Sequence, residues 1–136
     1  MKIVADHREN NPYRKPLVRE LVTYNDKNGP LENWQYVGFY ALDDEGHLIG
    51  GLQGMFEWDV FFIKHLWVKT SGQGLGRQLM NQAETHAKEN GKAVIHLDTF
   101  AFQSKIFYEK CGFTLFGTLE NAAGPHARHF LMKRIG

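Results

Sequence analysis

Apolar residues recur with two different periods along this chain. From Trp34 onward they form short runs cut by turn residues. Trp34–Leu42 reads as a strand, Asp43-Asp44-Glu45-Gly46 as a turn, and His47–Met55 as the returning strand. Glu57-Trp58-Asp59 turns the chain again, and the aromatic, β-branched run 60–68 reads as a buried third strand. Together these predict an antiparallel meander. The period then changes. Leu75, Leu79, Met80, Ala83 and Ala87 recur at helical spacing, and Asn90-Gly91 supplies a glycine stop, so the pattern predicts a helix over 75–89. A strand over 92–99 follows. A strand–helix–strand unit of this length should be parallel and right-handed. The tail predicts a short helix over 103–110 stopped by Gly112, a strand 113–119, a loop 121–125 and a strand 127–133. At the front, Lys2-Ile3-Val4-Ala5 reads as a first strand. Asn11-Pro12 reads as a helix start, with Leu17, Val18, Leu21, Val22 and Tyr24 as an apolar stripe through residues 13–25. Such a stripe covers a core more often than it forms a lid. The result is an α/β domain over residues 1–136, its meander joined to a parallel pair and flanked by helices.

The change of period falls on Ser71-Gly72-Gln73-Gly74-Leu75-Gly76-Arg77, with glycines at every second position. Glycine lets backbone approach a ligand and adopt dihedrals that a Cβ forbids. The first turn of a helix leaves amide donors unpaired beside the positive end of its dipole. The unit is therefore suited to an anion, above all a pyrophosphate. No Lys-Ser/Thr follows the glycines, which excludes a P-loop, and Arg77 stands where a dinucleotide fingerprint needs its third glycine. A coenzyme A cradle remains.

Charge and composition narrow the classes further. The formal net charge is +1, which gives no basic field for nucleic acid and no acidic tail for a charged partner. No run has transmembrane length and no signal peptide is evident, so a membrane role is not expected. The single cysteine, Cys111, excludes an internal disulfide and fits the reducing cytoplasm. His126 and His129 lie three apart on a predicted strand, point to opposite faces and make poor joint metal ligands; no metal is expected.

A second motif, Phe107-Tyr108-Glu109-Lys110-Cys111-Gly112-Phe113, lies some thirty residues after the glycines. With the glycine loop and the order of elements, it resembles the GNAT acyl-CoA N-acetyltransferase superfamily from about Trp34 to the end. The resemblance implies a sheet whose two parallel strands splay around acetyl-CoA. It implies direct attack of an amine, from a small molecule or a peptide, on the thioester, in a protein that can form a homodimer. It also implies roles for residues. The backbone of Leu66, Trp67 and Val68 would pair with the pantetheine arm. The loop Ser71, Gly72, Gln73, Gly74, Leu75, Gly76 and Arg77 would hold the pyrophosphate. Tyr108 would protonate the leaving thiolate, a phenol near 10 facing a thiol near 8.5.

The chain departs from that family in three places. Ser71 stands where Arg or Gln is common, with an approach from Val68 about two residues short. Ala101 stands where Asn is common, with Gln103 as a substitute contact to the cofactor. Phe62 occupies a place where some relatives carry an acidic base. The base is thus open among Glu57, Asp59, His65 and water. Trp58, Trp67, Phe100 and Phe102 suggest a partly apolar acceptor site. Two other readings stay open: a non-catalytic acyl-CoA-binding module, and a nucleotide-binding protein with Asp98 on a ribose.

Overall fold

A computed structural model describes all 136 residues, which fall into two compact parts, Met1–Asn33 and Trp34–Gly136. The first part is built on helix α1, Arg14–Asn28. Its cap comes from Asn11, whose Oδ1 accepts from the amides of Tyr13 and Arg14 at 2.9 and 3.1 Å. This is the capping chemistry expected of Asn ahead of a helix. Pro16 falls in the first turn, where its missing N–H costs nothing. The helix runs past 25 because Gly29, not Asn25, closes it, its amide donating to Asn25 O at 2.8 Å. None of its residues is buried, unlike the core cover expected of the stripe. Residues 2–5 form no strand. An apolar run becomes a strand only by pairing its backbone, and none pairs with this one.

The second part is one mixed sheet with strands β1 (Trp34–Leu42), β2 (Leu48–Glu57), β3 (Val60–Val68), β4 (Val94–Phe100), β5 (Thr114–Ala123) and β6 (His126–Arg134). Helix α2 (Leu75–Glu89) crosses from β3 to β4, and the short α3 (Lys105–Lys110) precedes β5. The strand order is β1-β2-β3-β4-β6-β5, every pair antiparallel except β3–β4. The core gathers Leu79, Met80, Ala83 and Ala87 of α2 with Leu52, Phe56, Phe61, Ile63, Ile95, Leu97 and Leu131 of the sheet. Phe56 and Phe61 meet edge-on at 5.2 Å, and each is fully buried. Burial of one such side chain contributes about 1.5–3 kcal/mol.

Two backbone features shape the functional end. First, β3 and β4 pair only at Val60–Val94, Phe61–Ile95 and Phe62–His96. Beyond Phe62 the two strands part, and β4 continues against β6 alone. Second, the β2–β3 register jumps, from Gln53 opposite His65 to Gly54 opposite Ile63, leaving Lys64 as the extra residue of a β-bulge. The bulge switches which residues face α2: Phe61 and Ile63 are buried before it, Leu66 and Val68 pack on the core after it. Gly54 makes it possible. A Cβ there would lie 2.0 Å from the Phe62 carbonyl oxygen and 2.9 Å from Ile63 Cα. Both are backbone atoms that cannot move aside without undoing the ladder. Gly54→Ala is therefore expected to destabilise the protein by about 3 kcal/mol, the upper end for overpacking. Urea unfolding checks this; a midpoint like that of the parent would remove the steric account of the bulge.

Candidate active site

The glycine loop lies between the end of β3 and α2. Gly72 and Gly74 both have φ +80, and a Cβ on either would meet nothing within 4 Å, so the space before them is open. The first bond of α2 runs from Gln78 N to Gly74 O at 3.0 Å, and no side chain caps the helix. The amides of Leu75, Gly76 and Arg77 thus have no partner in the helix and face its positive end. Ser71 and Gln73 are exposed beside them. The donor set and the open space fit a pyrophosphate. Gly76 has a second use: a Cβ there would come 3.2 Å from Phe107 Cζ, so its bareness also lets α2 pack closely on Phe107 of α3. Leu66, Trp67 and Val68 pair with β2 at Leu52, Gly51 and Gly50 and have no ladder on the β4 side. That edge is open to an extended ligand.

Two cations hold the C-terminal end of α3. Arg77 Nη2 donates to Lys110 O at 3.2 Å, and Lys133 Nζ donates to Cys111 O at 3.0 Å while pairing with Glu84 of α2 at 3.0 Å. Positive charge there satisfies free carbonyls and the helix dipole. The helix carries Tyr108, which is buried between Phe107 at 5.3 Å and Phe113 at 6.1 Å. Burial pushes its phenol up to about 12, with smaller contributions from Cys111 and Asp98. That is well above the ordinary phenol from which an acid role was expected. Burial also raises the Cys111 thiol, against the pull of Arg77 and Lys133, so it stays protonated and is a poor nucleophile. Gln103 spends its carboxamide oxygen within the chain, accepting from Phe100 N at 2.8 Å and Thr99 Oγ1 at 3.2 Å. It closes the turn after β4, so only its nitrogen could meet the expected cofactor arm.

On the sheet face away from α2 lies a cavity of about 610 Å3 lined by β1, β2 and β3. Its walls include Tyr36, Tyr40, Met55 and Phe62, with Gln53, Glu57, Lys64 and His65 as polar groups. The Tyr40 ring lies flat on the sheet because Gly38 and Gly51 have no side chains: a Cβ would come 2.5 Å from Tyr40 Oη at Gly38 and 2.9 Å from its ring at Gly51. Tyr40 Oη donates to Gln53 Oε1 at 2.8 Å, and Gln53 Nε2 lies 3.1 Å from His65 Nδ1. Phe62, the last residue in register with β4, stacks on His96 at 5.0 Å. Burial holds the His96 imidazole below the usual histidine range, opposed by Glu57 and Asp98. The cavity thus abuts the point where the parallel strands separate. Of the three candidate bases, Glu57 and His65 line it; Asp59 sits exposed in the β2–β3 turn and does not. The aromatic wall differs from the one expected. Trp58 packs edge-on against Trp34 at 6.5 Å, and Phe100 stacks on Phe102 at 5.6 Å. Neither pair, nor Trp67, lines the cavity. Tyr36, Tyr40, Gln53 and Lys64 were missed because alternating polar positions on a meander read as a plain solvent face; the glycines opposite Tyr40 were the available signal.

The model of the acetyltransferase (GNAT) family matches residues 4–113. The chain belongs to the GNAT acetyltransferase family. It is 32% identical over 129 residues to a blasticidin-S acetyltransferase of Streptomyces morookaense, covering 92% of this chain and 93% of that protein. Among solved structures, an acetyltransferase from Bacillus cereus superposes with a TM-score of 0.88 at 29% identity, covering 98% of this chain and 97% of that one. A Bacillus anthracis protein solved in complex with acetyl coenzyme A superposes with a TM-score of 0.65 at 25% identity, covering 83% and 68%. The protein is an N-acetyltransferase, and its cosubstrate is acetyl-CoA. This removes the non-catalytic and nucleotide-binding readings. No helix is long and apolar enough to cross a membrane.

Two measurements check this geometry. Gly74→Glu would put bulk and negative charge into the open space before the amides. Acetyl-CoA affinity should fall at least about a hundredfold by calorimetry, the cost of an unfavourable charge contact of ~3 kcal/mol, with the far-UV spectrum retained. Unchanged affinity would remove the cradle. The second concerns Tyr108. Its folded value of about 12 exceeds the ordinary 10.0, so the fold keeps this contribution below pH 10. Above pH 10 the unfolded chain ionises first, and stability is lost up to about pH 12. Across that window the parent should lose stability relative to Tyr108→Phe, followed by urea unfolding at each pH. Parallel curves would show that burial does not hold the phenol neutral.

Proposed function

We propose that this GNAT enzyme acetylates an amine of a small cationic molecule seated in the β1–β2–β3 cavity. The carrying observation is the pairing of aromatic walls, Tyr36, Tyr40 and Phe62, with one carboxylate, Glu57, in a single concave site beside the strand gap. Aromatic faces and a carboxylate both attract ammonium groups, the former by about 0.5–2 kcal/mol. The full-length similarity to a blasticidin-S acetyltransferase points to the same class of acceptor, a small antibiotic-like amine, over a peptide.

The chain's own groups divide the work. The amides of 75–77 and the glycine loop bind the pyrophosphate, and the free edge of Leu66 to Val68 aligns the pantetheine arm. Acetyl-CoA supplies the activated acetyl group. Tyr108 lies on the helix behind the gap. Burial keeps its phenol protonated. Tyr108 is therefore available as a hydrogen-bond donor to the sulfur as charge develops, and as the source of its proton. Preorganised donors of this kind contribute about 3–4 kcal/mol.

The test is free-thiol release from acetyl-CoA with a panel of amines, blasticidin S, aminoglycosides and a short peptide among them. Turnover should appear with a small cationic amine, and Glu57→Gln should raise the KM for that amine about tenfold or more, leaving the KM for acetyl-CoA unchanged. Turnover confined to the peptide, or an acceptor KM indifferent to Glu57, would overturn the assignment.

A further inference from the structure

Four residues on two strands, Gly38 and Tyr40 of β1 and Gly51 and Gln53 of β2, lead to one imidazole nitrogen on β3. Gly38 and Gly51 are bare so that the Tyr40 ring can lie across them. The ring delivers its hydroxyl to Gln53 Oε1 at 2.8 Å, and the other end of the same carboxamide meets His65 Nδ1 at 3.1 Å. All three side chains line the cavity, on exposed positions where nothing in the core requires them. The bulge at Lys64 makes the convergence possible, because the register opposite Gln53 would otherwise be displaced by one residue. Resting on the reading of the cavity as the acceptor site, we propose that Tyr40 and Gln53 are positioning residues that hold His65 through Nδ1, and that His65 Nε2 is the general base for the acceptor amine.

The chemistry follows from the carboxamide. A phenol and an imidazole nitrogen can each donate or accept, so the Gln53 amide can turn over in place without moving its neighbours. With Gln53 Nε2 toward the ring, Nδ1 accepts and the ring proton sits on Nε2; once the carboxamide turns, Nδ1 carries the proton and donates to Gln53 Oε1, Gln53 Nε2 donates to Tyr40 Oη, and His65 Nε2 has a free lone pair. An acceptor ammonium then gives one proton to Nε2. The freed nitrogen lone pair forms the C–N bond to the acetyl carbon as the C–S bond breaks, and the sulfur leaves with that electron pair. The nitrogen's surplus proton and the thiolate's missing one balance through water. The resulting imidazolium keeps its Nδ1–H on Gln53 Oε1, so the cation is held as well as the neutral base. The other titratable groups around His65 are Tyr36 and Tyr40 of β1, Glu57 of β2 and Lys64 of β3, with His96 of β4 behind Phe62. None of these is hydrogen-bonded to the imidazole as Gln53 is.

The test is kcat and kcat/KM against pH for the parent, His65→Gln, Gln53→Leu and Gln53→Glu, with the best amine of the panel. An imidazole base gives an acid limb between about pH 5 and 8. His65→Gln should lose that limb and lower kcat about 10²–10⁴-fold, the usual span for a base, with little change in either KM. Gln53→Leu should lower kcat about 10–100-fold, as loss of a partner that orients an imidazole does in metal sites. Gln53→Glu should recover turnover above a limb moved to higher pH, because a carboxylate favours the imidazolium. A limb that persists in His65→Gln, or stays in place in both Gln53 variants, overturns the proposal. If Glu57→Gln still raises the acceptor KM in that case, the cavity reading stands and only the base falls; if it does not, both fall.

Discussion

The reactive end of this enzyme depends on a close contact between α2 and α3. Gly76, in the first turn of α2, leaves room for the Phe107 ring at a distance where a Cβ would sit 3.2 Å from Cζ. The residue next to each partner completes the joint. Arg77 reaches the Lys110 carbonyl of α3, and Tyr108 stands one position beyond Phe107. A helix of six residues is too short to hold itself in water. Its position is therefore borrowed from α2 and, through Lys133 and Glu84, from β6. The consequence is that the free amides that suit a pyrophosphate and the phenol assigned to the leaving sulfur are parts of one rigid construction. They belong to the two sequence motifs that are some thirty residues apart, and the fold makes them a single piece.

The second constraint is the parting of β3 and β4. Parallel pairing lasts for three residues and stops at Phe62. Two residues later, Lys64 bulges out of β3. A bulge bends and over-twists its strand, and here that takes β3 away from β4 while keeping it on β2. The bulge costs β2 its side chain at Gly54. In return it opens an edge for an extended cofactor arm and brings His65 level with Gln53. The free edge of β3 and the meeting of His65 with Gln53 are in this sense two results of one inserted residue.

Much of this was legible in the residues, and the rest was hidden for definable reasons. The run 60–68 and the helix 75–89 have the observed bounds because their signals are unambiguous: an aromatic, β-branched run, then helical spacing between glycine punctuation. β5 runs on to Ala123 through the predicted loop because Asn121 adopts φ 52 and lets the register slip between Leu119 and Ala123 without ending the hairpin. The bulge left a trace in the change of phase from Phe61 and Ile63 to Leu66 and Val68, but an apolar residue on nearly every position blurs alternation. The packing use of Gly76 was hidden because glycines in one motif look alike, and only the position of Phe107 reveals it. The cavity was least legible of all, since its polar side chains occupy positions that a solvent-facing strand would also leave polar.

The placement of the titratable groups gives the two proton steps different environments. Tyr108 is buried beside aromatic rings, and burial pushes its phenol up to about 12, so it stays protonated around neutral pH. A base has the opposite need: it must shed, after each cycle, the proton it takes from the ammonium. His65 and Gln53 are exposed in an open cavity, where water can carry that proton away. Burying the base would have lowered its affinity for a proton, as it does for His96 two strands' width from Gln53. Exposing the phenol would have let water compete for the hydrogen bond proposed for it. The fold keeps the two groups apart: Tyr108 lies in the core with the buried face of α2, and His65 is exposed at the cavity.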